Sequence, residues 1–283
     1  MNLWGLGLFI EKNLGKCDFR DKYFLNELLY IFKSNFVLED YIKDIKLENL
    51  SKQKAIAIYR HKLKIILFDP DQSYDYFSML KRIYNLNNIP KIIKEYYYYV
   101  TLLHEVIHAC QFKFLESDIN NLTTVLLKDS LEVARGNFKL DNKSKIFGSL
   151  FSGYNGEKMY MLHYPCFPIE RQAIVISSAI TMNIFNNIVN EKYTKIMKNE
   201  FLKECLYGYA KNYELTSPTE EFYRLINNEK KFMSLNYCKM NYNDRLELGL
   251  PLTEDEICDF IKLNNPDRSK KLNITLGKNS IKF

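Results

Sequence analysis

Apolar residues recur at three- and four-residue intervals in YFLNELLYIFKSNF, and this spacing predicts an amphipathic helix over about 23–44. The period then shortens. Two apolar, β-branched runs, 55–59 and 63–68, flank Arg60-His61-Lys62 and predict an antiparallel strand pair with His61 in its turn. Asp69-Pro70-Asp71 ends the second strand. Helical spacing returns over 76–84 and stops at Asn87-Asn88-Ile89-Pro90. Pro90 suits the first turn of a further helix reaching about 115. Later segments predict helices over 122–135, 168–188, 191–212, 218–231 and 254–263, with a looser stretch, 136–167, read as loop with a short strand. Pro168 opens one of these helices, and Ser217-Pro218-Thr219-Glu220 forms a capping box at another.

The expected fold class is therefore α+β, mostly α, as one domain over 1–283 with 200–283 as a candidate helical appendage. Composition supports a packed globular protein: 47% of residues are hydrophobic and 26% charged, which excludes a disordered chain, a collagen or a coiled-coil rod. No apolar run has the roughly 18–20 residues that a membrane-spanning helix needs. The net charge of +6 comes from lysines scattered along the chain, so no specific nucleic-acid partner is expected. The opening segment MNLWGLGLFIEKN has no basic residue before its apolar stretch and no small-residue cleavage site, and it reads as structure. Six widely spaced cysteines form no CxxC pair. Reduced thiols and a cytoplasmic location fit that pattern.

Chemistry enters with histidine. The chain has only four, and two of them belong to His104-Glu105-Val106-Ile107-His108, an HExxH placed in mid-helix. By chance such a match has an expected count of about 0.005 in a chain of this composition. Residues four apart share a helix face, so two neutral imidazoles there can act as adjacent ligands of one Zn2+. Glu105 follows the first histidine and is placed to take a proton from metal-bound water and pass it to a leaving amine. Thr101 and Gln111 share roughly that face, as groups behind the ligands or facing a substrate.

A catalytic zinc takes a third protein ligand and leaves one position open. Glu116 and Asp118 lie at least about 12 Å farther along the same helix and cannot reach. Three residues stay open: Glu170, at the start of the helix introduced by Pro168; Glu132, on the next helix; and His163, in the loop. Glu170 is preferred, because Ala173 one turn later lets its helix pack closely.

HEVIHACQ followed by Tyr164 and by Pro168-x-Glu170-x-x-Ala173 resembles the gluzincin type of zincin metallopeptidase and is similar to small bacterial and phage-related metallopeptidases. The resemblance spans about 90–185. It implies a zincin-like domain with a small antiparallel sheet packed on the HExxH helix. It also implies one Zn2+ per chain held by His104, His108 and Glu170, with Glu105 as general base. The NExxSD-type motif of secreted members is missing, which argues against an extracellular protease. A hydrolase also needs an oxyanion donor, for which Tyr164 is preferred over Tyr154 and Tyr160, and an edge strand for an extended substrate, for which 63–68 is the candidate, a plain core strand being the equal alternative. Glycine-rich decoys near Gly15-Lys16 and Gly148–Gly153 lack the register of nucleotide or nucleophile motifs. The expected function is a zinc-dependent hydrolase, most simply a peptidase acting on a protein or peptide, with a regulatory or protein-binding module of little turnover as the alternative.

Overall fold

The computed structural model describes residues 4–116, 127, 128, 131 and 168–205. Helix α1 covers Trp4–Asn13 and α2 covers Lys22–Phe36. Asp21 caps α2, its carboxylate accepting the Tyr23 N–H at 2.9 Å. The helix stops at Val37, which takes a left-handed conformation with φ 56°. A β-branched residue is costly there; here Leu38 and Ile42, both fully buried, anchor the turn that follows. The helix expected over 23–44 thus ends at Phe36, and the last of that segment opens strand β1, Asp44–Leu47.

Strands β2, Ala57–Arg60, and β3, Ile65–Phe68, form the expected antiparallel pair, with Tyr59 opposite Ile66 and Ile58 opposite Leu67. His61 lies in their turn, which Lys64 closes at φ 57°. Strand β1 adds to β3 in parallel, Asp44 opposite Ile65, so the sheet is mixed with order β1-β3-β2. This corrects the expectation of a purely antiparallel sheet. It also makes β3 an interior strand. With a neighbour on each side, β3 cannot receive a further strand, and among the described residues no strand pairs with the other side of β2. Asp69 fixes the end of β3: its N–H donates to Ile56 O at 2.7 Å, and its carboxylate accepts the Leu50 N–H at 2.8 Å.

Helix α3, Tyr74–Ile83, leads to the long α4, Lys91–Glu116, directly after Pro90 as anticipated. Helix α5, Pro168–Ile188, and α6, Glu191–Cys205, follow. The largest fully buried side chains are Tyr99, Phe32, Phe68, Phe185, Leu6 and Ile10, each worth about 1.5–3 kcal/mol of burial. Phe185 of α5 meets Tyr96 and Tyr99 of α4 with ring centroids 5.3 and 6.0 Å apart, and Phe19 meets Tyr98 and Tyr99 at 5.0 and 5.1 Å. These contacts lie in one compact unit, Met1–Lys113 with Ser177–Phe201. Among the described residues the protein is mostly helical with one small three-stranded sheet, and no helix is long and apolar enough to cross a membrane. Of the helix expected over 122–135 only Leu127, Lys128 and Leu131 are described, and they are helical. The loop 136–167 and the helices over 218–231 and 254–263 lie outside the described residues.

Candidate metal centre

Helix α4 buries the stripe Tyr99, Leu102, Leu103, Val106 and Ile107, which fixes its rotation. That rotation leaves His104 and His108 half-buried, one turn apart. Their Nε2 atoms approach to 3.0 Å, with the ring planes at 86°. Two nitrogens bound about 2.0–2.1 Å from one tetrahedral ion stand about 3.3 Å apart, so the pair converges much as a shared cation requires. The buried Gln111 decides which nitrogen of His108 is available. Its Oε1 accepts from His108 Nδ1 at 2.8 Å, which puts the proton on Nδ1 and leaves the Nε2 lone pair for a metal. Gln111 therefore stands behind His108, on the side away from Nε2.

Glu170 stands in the first turn of α5, where an acidic residue is favoured by the helix dipole, and it is buried. Ala173, one turn on, is completely buried, as a close-packed helix face requires. The ligand atoms of His104, His108 and Glu170 all lie within 4.8 Å of one another. Two imidazole nitrogens and one carboxylate oxygen are a donor set suited to zinc, three of the four ligands that the ion takes. The residues present thus fit the ion.

Glu105 faces a different neighbour. It is buried beside the edge of β2, and its Oε2 accepts the main-chain N–H of Tyr59 at 2.6 Å. Tyr59 is held in turn: its hydroxyl donates to the Tyr41 carbonyl at 2.7 Å, and its ring lies 5.9 Å from Phe112 of α4. His61 stacks on Phe112 at 3.9 Å, so this turn residue also ties the hairpin to the helix that carries the histidines.

Sequence reasoning missed Tyr59 and one further group. Glu95 is 1% exposed, and its two oxygens accept the N–H groups of Gly15 at 2.7 Å and Cys17 at 3.2 Å. Gly15 has φ 77°, a conformation that glycine adopts without strain. Burial pushes the Glu95 carboxyl above its ordinary range, opposed by the Gly15 N–H. A signal was present: Glu95 interrupts the apolar stripe that continues as Tyr99, Leu102 and Val106. Burial also pushes the thiols of Cys17 and Cys110 up, to about 11 and about 12, so both are neutral. Both are free.

Thr101 is half-buried on α4. Tyr164, Tyr154, Tyr160, Glu132 and His163 lie outside the described residues. Comparison with family models, with curated proteins and with solved structures finds no match.

Proposed function

We propose that the chain is a zincin-like, zinc-dependent hydrolase of gluzincin type, acting as a peptidase on a protein or peptide substrate. The observation that carries the reading is the convergence of His104, His108 and Glu170, three ligand atoms within 4.8 Å, beside an intact Glu105. His104 and His108 bind through Nε2, and Glu170 supplies the carboxylate oxygen. When bound, Zn2+ supplies Lewis acidity, which polarises a carbonyl and acidifies water. Glu105 takes the proton from the attacking water and delivers it to the leaving amine, which balances the hydrolysis of one amide bond. Gln111 keeps the His108 proton on Nδ1 throughout. Tyr164 is the proposed donor to the developing oxyanion. A reducing, cytoplasmic setting is part of the reading, supported by the free thiols of buried Cys17 and half-buried Cys110.

The test separates binding from chemistry. Glu105→Gln keeps zinc at the wild-type ratio but loses at least about a hundredfold in hydrolysis of a quenched fluorogenic peptide library, as removal of a general base does. Hydrolysis that persists unchanged in Glu105→Gln would sink the assigned mechanism. Tight binding of a protein partner without cleavage by the zinc-loaded protein would favour a binding module instead.

A further inference from the structure

In an antiparallel pair, main-chain groups alternately face the partner strand and turn away from it. The Asp69 N–H donates to Ile56 O, so positions 56 and 69 form a hydrogen-bonded pair. Counting along the register, Ile58 and Arg60 face β3, while Ala57 and Tyr59 turn their N–H and C=O groups away from it. The Tyr59 N–H is therefore no part of the sheet ladder. It is spent on Glu105, across 46 residues of sequence.

We infer that the main-chain amide of Tyr59 positions Glu105 for proton transfer. The inference rests on Glu105 being the general base. A glutamate has three rotatable bonds, and an untethered carboxylate samples many orientations. One oxygen held at 2.6 Å by a sheet edge fixes the plane of the group relative to the helix that carries His104 and His108. The anchor is itself rigid, since Tyr59 is tied through its hydroxyl to Tyr41 and through its ring to Phe112. Tyr59 is a positioning residue, acting on the reaction only through Glu105.

Two measurements test this. The first is amide hydrogen exchange read residue by residue by NMR on the full chain, with zinc and without. An edge N–H that faces solvent exchanges fast, so Tyr59 should exchange at least about tenfold more slowly in the wild type than in Glu105→Ala, with Ile58 and Arg60 unchanged. Equal Tyr59 exchange in the two proteins overturns the inference whether or not any activity is found. The second is a pair of variants. Tyr59→Pro removes the N–H without breaking a ladder bond, which an edge strand tolerates, and Tyr59→Ala controls for the lost side chain. Against the peptide library, Tyr59→Pro should show kcat about tenfold or more below Tyr59→Ala, with KM and zinc content matched. In a Glu105→Gln background the two should be equal. Equal kcat in the Glu105 background overturns the positioning role alone. A wild-type chain with neither zinc nor hydrolysis overturns the parent reading and the role with it, and slow Tyr59 exchange would then mark a structural contact.

Discussion

Replacing Gln111 by Leu tests the geometry of the site at one atom. Gln111 is 3% exposed and accepts from His108 Nδ1 at 2.8 Å. Leucine has similar bulk and no acceptor, so the cavity stays filled while the imidazole loses the partner that keeps its proton on Nδ1. Half-buried His108 can turn that N–H toward water, so the fold should lose only about 0.5–1.5 kcal/mol. The metal should suffer more. Loss of an acceptor behind a ligating histidine weakens zinc binding about 10–100-fold, equivalent to about 1.4–2.7 kcal/mol. Competition against a chromogenic chelator at fixed pH reads this directly, and Gln111→Glu supplies the control, because its carboxylate accepts the same proton and should hold affinity at or above wild type. A Gln111→Leu affinity within about twofold of wild type would refute the reasoning, since a metal held by His108 Nε2 must sense the proton on the other nitrogen.

Three other predictions follow from the fold. Glu95→Gln leaves one of the Gly15 and Cys17 N–H groups facing an amide NH2 and should cost about 1–3 kcal/mol. Because the folded Glu95 carboxyl titrates above its ordinary 4.5, its contribution to stability is fully present below that pH and declines as pH rises through the folded value. Urea midpoints stepped upward from pH 4 should therefore fall more in wild type than in Glu95→Gln; identical slopes contradict the assignment. Phe185→Ala removes the ring between Tyr96 and Tyr99 and should cost about 3–5 kcal/mol in the same assay; a loss below about 1 kcal/mol would mean that α5 is not fixed there. Cys17 and Cys110, with thiols near 11 and 12, should resist alkylation at pH 8 in the native protein and label readily in denaturant, as read by peptide mass spectrometry. Rapid native labelling of either would contradict its raised thiol pKa.

What could be read from sequence was local. The HExxH helix, its start after Pro90 and the opening of α5 at Pro168 are set by periodicity and proline within a few residues, and each stands in the structure as expected. The β2–β3 hairpin is equally local. Strand β1 was not legible, because Leu38, Tyr41 and Ile42 keep a helical spacing past α2 and the actual stop is a left-handed Val37, where glycine or asparagine is the usual signal. Whether 63–68 is an edge or an interior strand was undecidable for a related reason: which side of the hairpin is covered depends on β1 pairing with β3 from outside the hairpin. Glu170 was one of three candidates in the sequence; its ligand atom lies within 4.8 Å of those of both histidines, while Glu132 and His163 lie outside the described residues. The Glu105–Tyr59 and Glu95–Gly15 bonds span 46 and 80 positions, and no pattern in one chain encodes such a pairing.

The central claim is that His104, His108 and Glu170 hold one metal ion, and metal analysis of protein purified without chelators tests it most directly. Wild type should carry close to one zinc per chain, and His104→Ala, measured in parallel, close to none. Zinc-free wild type that also fails to take up added zinc would contradict the account.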